Sequence, residues 1–243
     1  MARAQGANSK FNMAFESTYG TAPVSGYLTM PFASTTLGQE QGLIDNELLG
    51  FGRDPLAPAR HAVTAEGQAG IPDDTDGLGH WLKALLGAPT PTGTTPKIHT
   101  FTSGATSLPS LSIEKGLPDV PLFEMYSGAR VNQMAFKAER RGLLQATVGL
   151  IAQGMASAPP TGAGTPTAVA LTRFGHFNGA IKRNGTALGS IVSAEMTYSN
   201  NLDRVETIRA DGKIDGLDPT IASLQGSITA RLADTTLIDQ AAN

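Results

Sequence analysis

Residues 180–200, AIKRNGTALGSIVSAEMTYSN, decide the class of fold. Asn184–Gly185 is the dipeptide favoured where both central residues of a two-residue hairpin turn need positive φ. Beyond it Val192, Ala194, Met196 and Tyr198 alternate with Ser193, Glu195, Thr197 and Ser199. A period of two puts one set on each face, the pattern of a half-buried antiparallel strand. Ala222, Leu224, Gly226, Ile228, Ala230 and Leu232 alternate in the same way with Ser223, Gln225, Ser227, Thr229 and Arg231. That run predicts a second strand with one polar face.

Strand signals continue on both sides of this pair. Upstream, KIHTFTS (97–103), SLPSLSIEKG (107–116) and VPLFEMYSG (120–128) are short strands separated by turn residues. In ARVNQMAFKAERRG (129–142), Val131, Gln133, Ala135 and Lys137 share one face and Asn132, Met134 and Phe136 the other. LLQATVGLIAQG (143–154) is more uniformly apolar, as expected for a central strand buried on both faces. MASAPPTGAGTPTA (155–168) and APTPTGTTP (88–96) are expected as loops. Near the start, KFNMAFESTYGTAP (10–23), GYLTMPFA (26–33) and HAVTAEGQAGIP (61–72) are further strands, the last with a glycine bend.

One helix interrupts the β pattern. Leu78, Trp81, Leu82, Leu85 and Leu86 recur at helical spacing, and Gly87 with Pro89 ends the run. Asp73, Asp74 and Asp76 place negative charge at its start, where free N–H groups and the helix dipole favour it. The stripe of Leu78, Trp81, Leu82 and Leu85 is expected to dock the helix on a sheet, with an interface anchor as the alternative role for Trp81. The predicted fold is mainly β: an antiparallel β-sandwich or barrel with one flanking α-helix at about 74–87 and long extended loop and terminal arms.

Residues 42–60, GLIDNELLGFGRDPLAPAR, break these rules. They hold Leu43, Ile44, Leu48, Leu49, Phe51 and Leu56, yet Gly42, Gly50, Gly52, Pro55 and Pro58 argue against a long regular helix or strand. Exposed loops are ordinarily polar, and a long structureless loop is suspect unless functional. Each large apolar side chain left in water forfeits roughly 1.5–3 kcal/mol of available burial. The arm is therefore expected to find cover on another copy of the chain.

Composition fits an assembling β protein. Only 16% of the 243 residues are charged, against about 25% in ordinary domains. Residues 1–76, 77–190 and 191–243 carry net charges of −5, +6 and −4, an asymmetry that either steers copies together or maps to no particular face. Basic residues are mostly isolated, with Arg140–Arg141 and Lys182–Arg183 the only adjacent pairs, so tight nucleic-acid binding is not expected. Cysteine is absent, which removes disulfides and thiolate metal sites. With no apolar run suited to a signal sequence or a membrane span, the chain is expected in a soluble compartment without an anchor.

No chemistry emerges from the motifs. His61, His80, His99 and His176 stand apart from one another, and no nucleophile elbow, phosphate loop or dinucleotide fingerprint occurs. Taken as a calcium loop from Asp211, ADGKIDGLDP (210–219) puts Lys213 at the third position and Ala222 at the twelfth, so an Asp/Gly-rich turn is expected instead. Helix capping accounts for Asp73, Asp74 and Asp76 without a metal. Asn184–Gly185–Thr186 matches a glycosylation acceptor, but without a secretion signal the match is idle. No enzyme, cofactor or metal is expected.

The segment from Phe11 to Pro58, with LGHWLKALLGAP (78–89), HTFTSGATSLPSLSIEKGLPDV (99–120) and LGSIVSAEMTYSNNLDRVETIRADGKIDG (188–216), resembles the tail tube (major tail) proteins of long-tailed bacteriophages. ESTYGTAP (16–23) and LLGFGRDPLAP (48–58) are its most specific pieces. The resemblance implies one domain over 1–243, a β-sandwich with a flanking helix, six copies per ring, and rings stacked helically into a tube that conducts genomic DNA. Residues 34–60 would be the extended loop between subunits or rings, with Leu43, Ile44, Leu48, Leu49, Phe51, Arg53 and Leu56 as contacts. Implied partners are other copies of itself, a tape measure in the lumen, a terminator and a distal tail protein, with DNA passing unbound. The protein would be assembled in the host cytoplasm and reside in the virion tail. Other readings are a terminator or capping ring, a head decoration protein, or a carbohydrate-binding tail-tip module; the last expects exposed aromatics, whereas aromatic content is 6%.

Overall fold

The computed structural model describes residues 3–139, 142–157, 160–175, 180–183, 185–187 and 191–231. After a 3-10 turn at Gly6–Asn8, β1 (Lys10–Phe15), β2 (Leu28–Thr29) and β3 (Ser34–Thr35) lead into two long strands, β4 (Gly38–Asn46) and β5 (Leu56–Pro72). Helix α1 (Leu78–Leu86) follows, then the small hairpin of β6 (Thr90–Thr92) and β7 (Ile98–Thr100). Next come β8 (Leu111–Leu117), β9 (Leu122–Glu139), β10 (Gln145–Ala152), β11 (Gly154–Ser157) and β12 (Thr167–Ala168). The last are β13 (Lys182–Arg183), β14 (Thr186–Ala187), β15 (Ile191–Ser199), β16 (Asp203–Val205), β17 (Gly216–Asp218) and β18 (Ser223–Ala230).

Two sheets share β9. Its first half, to Ala129, pairs with β8 and β11, and the first sheet continues through β1 and β2 to β12. Its second half, from Arg130, pairs with β10 and β15, giving a second sheet in the order β18-β15-β9-β10-β5-β4. Two irregularities let one strand serve both. Around Ser127–Gly128 the register against β8 shifts, and Gly128 has φ 64°. A Cβ there would come within 2.8 Å of the Gln153 Cβ and 3.0 Å of the Tyr19 ring, so glycine is needed for conformation and for space. At Asn132 a second bulge places Val131 opposite Leu150 and Gln133 opposite Gly149.

That second bulge corrects the alternation expected for 129–142. Gln133, Ala135 and Lys137 do share a face, but the extra residue turns Val131 to the other side, where it is buried with Met134. The core between the sheets takes Phe11 and Met13 from β1, Leu111 and Ile113 from β8, Ala69 and Ile71 from β5, and Ala146, Val148 and Leu150 from β10. The fold is a mainly antiparallel β-sandwich with one helix, and β10 is the central strand expected of 143–154, covered on both faces from Val148 to Ala152 but open on one face at Gln145 and Thr147.

The helix docks on this core, but it begins later than expected. It starts at Leu78 with Gly77 as its N-cap and no side-chain cap, and no acidic residue lies in its first turn. The Asp74 carboxylate instead accepts the N–H groups of Asp76 (2.9 Å) and Gly77, building the turn before the helix. Trp81, Ala84 and Leu85 are buried, and Trp81 lies 6.2 Å from the Phe11 ring. Leu78 and Leu86 pack against the core from the margins, while Leu82 is half-buried and stays outside that cluster. Asn200 pins the helix end to β9, donating to the carbonyls of Leu85 and Val131, both at 2.9 Å.

Other expectations need revision. Within 42–60, expected to lack a long regular strand, β4 and the start of β5 form an antiparallel ladder interrupted by two register slips. Its breakers sit where a ladder tolerates them: Gly42 and Pro58 flank register slips, and Gly50 and Gly52 adopt positive φ in the tip. Within 88–96, Thr90–Thr92 is paired strand, and 155–168 includes the end of β11 and all of β12. The strands expected at 120–128 and 129–142 are one. β13 and β14 pair antiparallel, with Arg183 opposite Thr186 and Gly185 at φ 82°. Asn184, His176, Leu232 and the Arg140–Arg141 pair lie outside the described residues.

Replacing Gly128 by alanine is expected to lower stability by more than about 1 kcal/mol, since positive φ and a close approach combine. Gly104→Ala, at φ 93° but facing open space, should cost less. Denaturant midpoints of the two variants check the difference.

Candidate assembly surface

The arm is held firmly at its base. Gln39 Oε1 accepts the Met155 N–H at 2.6 Å, and the Leu37 carbonyl accepts Lys115 Nζ at 2.9 Å and the Tyr126 hydroxyl at 3.3 Å. Gly67 lies so close to Leu37 that a Cβ would reach its Cα at 2.5 Å. On the other side, Val63 N–H donates to the Gly212 carbonyl at 2.8 Å, and Arg204 pairs with Glu66. The 203–218 segment is itself tied by Arg209, which bridges Asp211 (3.0 Å) and Asp215 (2.6 Å), and by Ile214 and Leu217 packing on Ile151. The Asp/Gly turn weighed as a calcium loop is thus an ion-paired buttress.

Beyond Val63 the hairpin leaves the core. The ladder from Gln41 to Asn46 spans about 17 Å at 3.4 Å per residue, and the tip 47–55 follows. Leu43, Ile44, Leu48, Leu49 and Phe51 are exposed, with Leu49 at 96%. Arg53 is exposed and its side chain has no hydrogen bond or ion pair among the described residues; Leu56 is half-buried. Of the helix residues, Trp81 and Leu85 lie in the core and Leu78 at its margin, so Trp81 packs the helix on the sheet and is not free as an interface anchor; Leu82 is half-buried outside that cluster.

A second apolar surface lies at the opposite edge of the second sheet. The register puts Phe136, Ala138, Ala194, Met196, Leu224 and Ile228 on the core-facing side, beyond the part that the helix and first sheet cover. Leu224 and Ile228 are 63% and 53% exposed, so the face expected to be buried in this strand pair is open. With Leu144 and Ile181 they line a groove of about 580 Å³. Asp73 also lines it. Its side chain is buried, and its Oδ1 accepts no hydrogen bond. Burial, then the neighbouring Asp74 carboxylate, pushes the Asp73 carboxyl up to about 6 against the pull of Arg173.

The other face of this sheet is polar and nearly neutral. Gln133, Lys137, Gln145, Thr147, Glu195 and Gln225 share it, and Lys137 lies 2.9 Å from Glu139 and 3.5 Å from Glu195.

Several structurally decisive polar residues left no local signal in the sequence. Glu114 is fully buried and accepts from Asn12 (3.1 Å), Thr161 (2.7 Å) and the N–H groups of Gly162 (2.6 Å) and Ala163 (3.1 Å). Glu16 accepts from Ser112 (2.6 Å), Gly128 N–H (2.8 Å) and Gly20 N–H (2.9 Å). A carboxylate predicts its own burial only when its donors are known, and these come from up to 112 residues away. Among the described residues no group of three or more His, Cys, Asp or Glu side chains is placed to hold a metal ion, and no helix is long and apolar enough to cross a membrane.

A family model described as phage tail tube protein matches residues 6–243. No curated protein matches the chain.

Asp73 makes the isolated protomer pH-sensitive. Because its folded-state pKa is raised from about 4 to about 6, the folded state binds the proton more tightly, and stability falls as pH rises through that window. Asp73→Asn is expected to flatten the thermal-unfolding profile of protomers between pH 4 and 6 and to raise Tm at pH 7.

Proposed function

The chain belongs to the phage tail tube proteins, and from that premise we propose that six copies close into a ring and that rings stack into the tube conducting genomic DNA. The observation that carries this reading is the arm: a rigidly based hairpin whose tip offers Leu48, Leu49 and Phe51 to water. Covering each such side chain is worth roughly 1.5–3 kcal/mol, and the protomer's own core lies behind the arm. A neighbouring copy supplies the cover. Stable assemblies commonly bury about 2,000 Å² or more per interface, and a projecting arm adds area without enlarging the domain.

The polar face of the second sheet is the proposed lumen wall. Its one lysine is already engaged by two glutamates, so it offers phosphates little net attraction. A conduit has to let DNA slide, and a balanced wall suits that task better than a cationic one. The tape measure within the lumen, the terminator and the distal tail protein are the expected further partners, and host-cytoplasmic assembly precedes ejection of DNA through the finished tail.

Negative-stain microscopy of the purified protein is expected to show hollow tubes of uniform width; closed rings that never stack would favour a terminator or capping ring. Leu48→Asp combined with Phe51→Asp should leave circular dichroism unchanged and abolish tubes. Global unfolding of that variant would place those side chains in the core and remove the basis of the reading.

A further inference from the structure

The arm and the apolar groove lie at opposite edges of one sheet, β4 at one end and β18 at the other. Five strand spacings of about 4.8 Å separate them, roughly 24 Å, so an arm that projects away from its own sheet cannot fill its own groove. Their chemistry is complementary. The tip presents Leu48, Leu49 and Phe51 beside a single unpaired cation, Arg53. The groove presents Phe136, Met196, Leu224 and Ile228 beside a buried carboxylate, Asp73, with an unsatisfied oxygen. Its volume, about 580 Å³, falls in the range of roughly 300–1,000 Å³ that takes a compact apolar ligand.

We propose that the arm tip of one copy seats in this groove on a second copy, its leucines and Phe51 against Met196, Leu224 and Ile228, with the Arg53 guanidinium meeting the Asp73 carboxylate. The inference rests on the tube reading and adds the acceptor surface. Donor and acceptor are different patches, so the contact is head-to-tail and leaves one free tip and one free groove at the two ends of any open row. Arg53 brings its positive charge to the Asp73 end of the groove, although the Asp73 Oδ1 itself is sealed from solvent in the protomer. Removing the second-copy tip leaves a continuation of the sandwich core facing water, which is the state of the isolated protomer.

The chain has no cysteine, so introduced pairs report without background. Leu49→Cys with Leu224→Cys, assembled and mildly oxidised, is expected to give a ladder of covalent multimers on non-reducing gels. Leu49→Cys with Ile208→Cys, where Ile208 is more exposed than Leu224 but does not line the groove, should not. Tubes without a ladder, or equal ladders from both pairs, would overturn the docking while leaving the tube reading intact. Leu224→Asp with Ile228→Asp alters exposed side chains only and should fold by circular dichroism yet form no tubes; normal tubes from it would overturn the proposal. Arg53→Glu is expected to raise the critical concentration for assembly about tenfold or more, and an unchanged value would remove the ion pair. Wild-type protein that forms no tubes would remove the tube reading, and the docking with it.

Discussion

β9 has to belong to two sheets at once, and the rest of the molecule is arranged around that requirement. A regular strand keeps each side chain on a fixed face, so a strand that leaves one sheet for another must change register partway. Gly128 and Asn132 supply the two breaks. Between them Ala129 and Val131 remain in the core, and each break is backed by specific contacts. Glu16 accepts the Gly128 N–H, while the Asn132 carbonyl and side chain receive the N–H groups of Asn200 and Leu202. The sandwich is therefore closed at one corner by covalent chain continuity and held there by hydrogen bonds from distant segments.

Rigidity at that corner has a consequence for the arm. β5 runs continuously from the buried centre of the second sheet into the projecting hairpin, paired with β10 over Ala65–Pro72 and with β4 over Leu56–Glu66. Leu37, Gln39 and the ion-paired 203–218 segment grip both sides of its base. An apolar tip on a floppy tether would lose much of its binding free energy to ordering; one held on a paired ladder loses less.

Apolar surface is distributed in the same spirit. One cluster fills the sandwich, one sits on the arm, and one lies open along β15 and β18. The last two are exposed among the described residues, and such surface is a liability for an isolated protomer. The polar face opposite carries charges that are already paired, so the open apolar surface and the balanced polar surface lie on different sides of the same sheet.

Period and composition alone made much of this legible. The alternation of Val192–Ser199 and 222–230, the Asn184–Gly185 turn, the apolar run of 143–154 and the Trp81 stripe each identify an element, because local periodicity depends only on which side chains neighbour one another along the chain. The exposed greasy arm was legible too, as a conflict between composition and surface. Its form was not: Gly42 and Pro58 read as breakers until a partner strand shows that they fall at register slips. Nor were the bulge at Asn132, the buried hubs at Glu114 and Glu16, or the turn-building role of Asp74, since each depends on donors and partners far away in sequence. Sequence by itself determined the strands, the helix and the presence of unclaimed apolar surface. Tertiary structure alone decided which face each strand buries and where that unclaimed surface lies, because register and bulges are set by pairing between segments that the linear chain keeps apart.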